Sequence, residues 1–278
     1  MLDGEKSLKE TFKGSKLPMI AIPTTLSGGE YNAYGACTND VTHRKQLFGN
    51  KTHEPRLIIL DADLTLTTPM KVWISTGVRA IDHCIEALCS IRGNDNANAD
   101  FIESLRLLAT GLLQCTKDAT DCEARRRCQF GCMSYMKVML LKIPLGASHG
   151  IGRQLGPYNV PHGETSCILM PAVAKYNARV SEAKQVQILD ILWNEDTVAT
   201  ILKAHYLRRD MATLGEVLDA LIRELGMPRD LRSVGIGSEN LEQIAENSLR
   251  DPWCKSNPIP LTDKAQVLEI LALIDGSN

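Results

Sequence analysis

Residues 76–90 read TGVRAIDHCIEALCS. Apolar side chains recur there, and across the longer segment 70–92, at the three- and four-residue spacing of a packed helix. His83 stands inside that pattern. An imidazole is both a common transition-metal ligand and a side chain suited to proton transfer near neutral pH, so this helix is a first place to look for chemistry. The same periodicity marks 98–116, 120–143, 163–177, 197–225 and 262–275, with helix stops such as Arg92-Gly93 and Gly226-Met227-Pro228 between them. Upstream of Pro69 the character differs. PMIAIPT at 18–24 and RLIILD at 56–61 read as buried strands. Ser27-Gly28-Gly29 makes a loop that a ligand can approach, and the polar stretch from Thr38 to Glu54 suits a hairpin or connection. The expected organisation is an α/β remnant over 1–68 followed by an all-α domain over 69–278. Two strands cannot form a sheet with both faces covered, so something outside them must supply the cover.

The chain has 278 residues, 44% hydrophobic and 23% charged, with a formal net charge of -2. That is enough to bury a sizeable core, and it gives no electrostatic reason to expect nucleic acid or an anionic membrane as a partner. Arg125-Arg126-Arg127 reads as a solvated helix face. The N-terminal MLDGEKSLKETFKGSK lacks the apolar stretch of a secretory signal, and cytoplasmic residence is expected. Nine cysteines without a Cys-x-x-Cys pair point to reduced core residues, Cys128 and Cys132 among them.

Two further histidines have specific settings: His149 in LGASHGIGRQLG and His162 at the helix start VPHGETSCILMP. On residue type alone each histidine serves equally as a core or capping group. The strings as a set resemble the iron-type alcohol dehydrogenases. PTTLSGGEYNAYG is similar to their PTT loop, DADLTLTTP to the segment leading into their helical domain, and TGVRAIDHCIEA to their Gly-Met-Asp-Ala-x-x-His-x-x-Glu helix. HGIGRQLGPYNVPHG resembles their His-x-x-x-His and Pro-His-Gly segments, and MPRDLRSVGI with NPIPLT resembles their ending. The shortened PTT loop and HRKQLFGN are most similar to the maleylacetate reductases. The resemblance implies a dehydroquinate-synthase-like architecture with a cleft between an α/β nucleotide-binding part and a helical part. It also implies NAD(P)H as cofactor, with Thr24, Thr25, Ser27, Lys45 and Thr65 near it, and a homo-oligomer.

Two positions depart from the family pattern. Arg79 stands where metal-dependent members carry an aspartate one turn before the histidine, and Arg153 replaces the second histidine of His-x-x-x-His. A guanidinium offers no lone pair and repels a cation, so no metal is expected; His83, His149 and His162 are the only residues the pattern leaves for one. Asp82, one residue before His83, points roughly 100° around the helix and is not expected simply to replace the aspartate, unless an adjacent loop turns ligands toward it. Two arginines among histidines suit a carboxylate, so a small acidic or carbonyl substrate is expected, with His83, His149, His162, Arg79 and Arg153 as the catalytic set. Each arginine also has a bland reading, as a surface residue or a partner for Glu86 or Glu164. No Gly-Gly-Gly-Ser phosphate loop precedes Pro18, which weakens dinucleotide binding. Reduction of an unsaturated or keto acid is the leading expectation. Cofactor-free isomerisation, cyclisation or dehydration, and a non-catalytic partner subunit, are the alternatives.

Overall fold

Helix α2 (Met70–Cys89) is buried almost all round, because its sequence leaves it no continuous polar face: Trp73, Val78, Ala80 and Cys84 have no exposed surface. It is the central helix of a computed structural model that describes residues 17–38, 45–49, 54–136 and 140–276; the side chains of 34–38, 45–49 and 95–96 fall outside that description. The hairpin of α3 (Asp95–Lys117) and α4 (Cys122–Tyr135) packs on one side of α2. The long helix α6 (His162–Trp193) packs on the other. Helix α6 breaks its helical geometry at Ser181, where the Gln185 amide donates to the Ala174 carbonyl at 2.8 Å and so satisfies a buried acceptor beside the kink. Together with α7 (Asp196–Ala204) and α8 (Leu214–Glu224) these helices enclose the larger core. A second core lies between α5 (Ala147–Gly152), α6, α9 (Leu241–Ser248), α10 (Pro252–Ser256) and α11 (Lys264–Ala272).

Several boundaries differ from the periodicity. The segment 197–225 is two helices: α7 ends before Tyr206, which takes φ 60°, and α8 restarts on a reciprocal capping box between Thr213 and Glu216. Helix α4 ends at Tyr135, and α6 runs sixteen residues past the expected 177. Helices α9 and α10 occupy sequence that the periodicity left unassigned.

The N-terminal segment holds β1 (Ile20–Ala21) paired parallel with β4 (Leu57–Ile58), and a hairpin of β2 (Tyr34–Thr38) and β3 (Lys45–Gly49) with Tyr34 opposite Gly49. The expectation that the first pair is buried is corrected. Ile20 is 59% and Leu57 51% exposed, because among the described residues the two short strands have no third strand or helix over their outer faces. The segment is held to the helices through the loop instead. Leu26 is fully buried in the main core, its N–H donates to Thr76 Oγ1 at 3.2 Å, and the Tyr135 hydroxyl donates to the Ser27 carbonyl at 2.9 Å.

The basic run is also corrected. Arg125 is 2% exposed, lies over the Trp73 ring at 4.6 Å, and donates to the carbonyls of Thr65 and Ala119. It ties the short helix α1 (Ala62–Thr65) to α4; Arg126 pairs with Glu123 at the exposed surface. The described cysteines are free; seven are buried, and Cys122 is only partly so.

Candidate functional site

Arg79, Asp82, His83 and Glu86 follow the i, i+3, i+4, i+7 spacing that gathers side chains on one side of α2. Over that side passes the turn at Leu145–Gly146, which opens α5. The Glu86 carboxylate accepts the backbone N–H groups of Gly146 (2.9 Å) and Ser148 (2.8 Å) and lies 2.7 Å from His149 Nδ1. Gly146 is required at this crossing: a Cβ there would stand 2.9 Å from both Glu86 Oε1 and Asn257 Oδ1. The Ala147 N–H donates to Asn257 Oδ1, and Asn257 is locked in reciprocal amide bonds with Asn177. Asp82, Glu86, Ser148, Asn177 and Asn257 also line a narrow cavity behind the site, between α2, α6 and α8.

Asp82 faces the same turn. Its carboxyl accepts from the Ser148 hydroxyl at 2.7 Å and lies 3.4 Å from His149 Nδ1, fully buried. The rotation of about 100° from His83 stands, but α2 is enclosed on nearly every side, so a residue at that angle also faces protein. The burial is costly for two acids. Burial raises Asp82 well above the ordinary carboxylate range, with the charge of Glu86 adding to it, and raises Glu86 to about 7 against the pull of the Gly146 and Ser148 N–H groups. Glu86 meets two backbone N–H donors while Asp82 Oδ1 has no partner among the described residues, so of the two acids Asp82 is the one that takes the proton first.

The rings form a chain of tilted and edge-on contacts. His83 lies between Tyr135 (centroids 5.0 Å apart) and His149 (4.3 Å); His149 meets Trp253 edge-on at 5.7 Å; and the Arg153 guanidinium lies 3.5 Å over Trp253. Burial, first, and then neighbouring positive charge hold both His83 and His149 well below the usual imidazole range. Arg79 is among those charges for both rings, and Arg153 for His149. The carbonyl of Arg79, 2.7 Å from His83 Nδ1, can only accept, which places the His83 proton on Nδ1.

The expected set therefore comes together in part as drawn. His83, His149, Arg79 and Arg153 surround one site. His162, exposed at the start of α6, is near enough for its charge to act on both buried histidines. Arg153 pairs with Asp251 at 3.1 Å rather than with a glutamate, and Glu164 pairs with Lys71. The Arg79 guanidinium has no carboxylate within ion-pair distance among the described residues; its electrostatic neighbours are Asp82, Tyr135, Arg153 and Glu86. Of the residues expected near a cofactor, Thr24 and Thr25 are half-buried in the loop above Tyr135, and Thr25 and Ser27 share a 3.0 Å hydroxyl contact. Thr65 is fully buried, and its hydroxyl donates to the Ala62 carbonyl. Lys45 is placed by its backbone in β3, and its side chain lies outside the described residues.

Asp82, Glu86 and His149 form the one group of potential metal ligands that converges among the described residues, with ligand atoms within 4.8 Å of one another. Within it only Glu86 and His149 are hydrogen-bonded to each other, and Asp82 Oδ1 and His149 Nε2 have no partner among the described residues. The three histidines do not converge in that way, and beside two of them stands an unpaired guanidinium. A guanidinium at this place repels a cation, whereas the buried carboxylates and imidazole beside it offer lone pairs to one.

Residues 73–274 match the family described as Fe-containing alcohol dehydrogenase family, C-terminal. The chain belongs to that family. Among curated relatives of this iron-type alcohol dehydrogenase homologue, Dehydrogenase FUM7 of Gibberella moniliformis is 38% identical over 96% of the chain and 66% of its own length. Dehydrogenase ALT3 of Alternaria alternata is 39% identical over 94% of the chain and 72% of its own length. The crystal structure of maleylacetate reductase from Rhizobium sp. strain MTP-10005 superposes with a TM-score of 0.75 at 25% identity, over 92% of this chain and 67% of that one. The chain thus spans about two-thirds of the length of the relatives it matches. Its helical architecture is that of the family's C-terminal domain, and no helix among the described residues is long and apolar enough to cross a membrane.

Sequence reading missed Asp251, Trp253 and Tyr135, which reach the site from elements distant in the chain. Glu86 had a signal: it stands seven residues after Arg79, on the same side of α2.

Proposed function

We propose that this chain forms the helical side of an oxidoreductase site that moves a hydride between a nicotinamide dinucleotide and a small carbonyl or unsaturated acid, without a metal ion. The observation that carries the reading is the unpaired Arg79 guanidinium beside two buried neutral imidazoles. Arg79 takes the place of a cation: it holds a substrate carboxylate. Arg153, fixed by Asp251 and Trp253, supplies a second positive group at the mouth. In the reducing direction, hydride goes to the carbonyl carbon and the oxygen takes a proton from His149; in the oxidising direction His149 Nε2 receives it. A carboxylate bound at Arg79 cancels part of the charge that, after burial, keeps His149 neutral, so an anionic substrate eases the protonation that reduction requires. The loop at Thr24–Ser27, tied to Tyr135, faces the nicotinamide in this reading.

Fluorescence titration of the purified chain with NADH and NADPH, followed by turnover of 2-keto acids against uncharged ketones of the same size, tests it. Binding of one dinucleotide and a preference for the acids are expected. Arg79→Met should cut kcat/KM for the acids by about 30-fold or more, as expected for removing one partner of a desolvated charge pair, and leave uncharged ketones nearly unaffected. A folded chain that binds neither dinucleotide overturns the redox reading and leaves cofactor-free acid–base chemistry on the same residues.

A further inference from the structure

The Glu86–His149 contact determines which nitrogen of His149 can react. His149 is buried, with no exposed side-chain surface. Its Nδ1 faces the Glu86 carboxylate at 2.7 Å, and Asp82 is the next group out at 3.4 Å. Its Nε2, on the opposite edge of the ring, is buried and has no partner among the described residues. A buried polar atom left unmatched in an otherwise satisfied network needs an explanation, and a bound molecule that completes the bond is one.

The other side of Glu86 explains why the contact has a fixed direction. Oε1 accepts the Ser148 N–H, and Oε2 accepts the Gly146 N–H as well as facing His149. Backbone N–H groups can only donate, and the two of them hold Glu86 in the ionised form once the pH is above its range, when both oxygens can only accept and the remaining group facing them, Nδ1, brings the hydrogen. Gly146 allows the turn to come this close, and Asn257, bonded to the Ala147 N–H, fixes the turn from behind. Asp82 is taken up by the Ser148 hydroxyl and does not compete for the ring.

We infer that Glu86 is the positioning residue of the site: seated on the Gly146 and Ser148 N–H groups, it fixes His149 as the Nδ1–H tautomer and presents a bare Nε2 lone pair to the bound molecule. Glu86 touches neither substrate nor cofactor; it acts through His149. The tautomer rests on the hydrogen bonds alone, whereas the role of Nε2 as proton acceptor and donor rests on the oxidoreductase reading above. Each can fail separately.

The experiment is a long-range nitrogen–proton NMR spectrum of the chain labelled with 15N-histidine, with His149 assigned by its loss in His149→Gln. The expected wild-type result is a protonated Nδ1 and an unprotonated Nε2 at about pH 8.5, where Glu86 is ionised. In Glu86→Gln, which keeps the volume but offers an N–H₂ group, His149 should move to the Nε2–H form or to a mixture. Turnover in that variant should fall about 10²–10⁴-fold in kcat with little change in KM, the size of effect that follows loss of a correctly poised proton-transfer group. Glu86→Asp, one methylene shorter, should keep the wild-type tautomer only if its carboxylate still reaches the ring, and kcat should follow the tautomer. An Nε2–H ring in the wild type, or an unchanged Nδ1–H ring in a folded Glu86→Gln, overturns the inference whatever the activity. If Glu86→Gln does not fold, the wild-type spectrum alone decides. The expected tautomers with no turnover by any variant would uphold the positioning role and sink the redox reading.

Discussion

Arg79 and His83 stand one helical turn apart on α2, joined by a 2.7 Å bond between the Arg79 carbonyl and His83 Nδ1. A residue at position 79 therefore projects its side chain beside the imidazole, and its charge decides what the histidines can bind. With a guanidinium there, the purified chain is expected to carry far less than one equivalent of iron or zinc, measured by elemental analysis after dialysis against metal-free buffer. Arg79→Asp replaces the charge with a carboxylate in reach of His83 and His149, and should raise zinc retention by at least about tenfold. A full equivalent of metal in the wild type, lost in His149→Gln, would show that other residues complete a cation site.

Acidification should act on this cluster in two opposing ways. His83 and His149 titrate well below 6.5 when folded, so as pH falls through 6.5 the unfolded chain takes up protons first and stability drops. Glu86, raised from 4.5 to about 7, and Asp82, also raised, do the reverse: the folded chain takes up the proton first, and stability rises as pH falls from about 7 toward 4.5. Arg79, Arg153 and His162 act electrostatically on the same groups. Two falling and two rising contributions nearly cancel between pH 4.5 and 6.5. Glu86→Gln removes one rising contribution, so urea unfolding should show that variant losing about 1.4 kcal/mol per pH unit more than the wild type on acidification. Parallel slopes would mean that Glu86 is already ionised in the folded chain at pH 5.

How much of this was legible in the sequence depends on how local each feature is. The helical character of α2 and the presence of His83 on it follow from periodicity within one segment. The motif order at Thr24–Gly29, His83, His149 and His162 carried the family and the gathering of the histidines. What the sequence did not show depends on contacts between distant segments. Arg125 reads as solvated beside Arg126 and Arg127, and becomes buried because Trp73 and the Thr65 carbonyl meet it from other elements. Ile20 and Leu57 read as core because apolar runs normally are, and are exposed because the partner that would cover them is not among the described residues. Asp251 and Trp253 carry no local mark of function; about a hundred residues separate them from Arg153, which they hold.

That last contact depends on one glycine. Gly150 in α5 faces α10, and a Cβ added to it would stand 2.6 Å from Cys254 Sγ and 2.9 Å from the Cys254 backbone nitrogen. Cys254 is fully buried, so its sulfur has little room to turn aside, and the backbone nitrogen moves only if α10 does. Helix α10 begins at Asp251, whose Oδ1 accepts the Trp253 N–H at 2.9 Å and whose Oδ2 accepts from Arg153 at 3.1 Å. A displaced α10 therefore carries Trp253 and Asp251 away from Arg153 and from the edge of His149. Gly150→Ala should cost about 1–3 kcal/mol in urea unfolding, the usual range for overpacking a filled core, and should also weaken binding of an acidic substrate or inhibitor. Gly156→Ala is the control, because a Cβ there meets nothing within 4 Å. It should leave stability within about 0.5 kcal/mol of the wild type, the range of a substitution without a buried contact. Equal stabilities for the two variants would show that α5 and α10 are not packed as closely as the Cys254 contact requires. A destabilised Gly150→Ala with unchanged anion affinity would show instead that Arg153 does not need α10 to hold it.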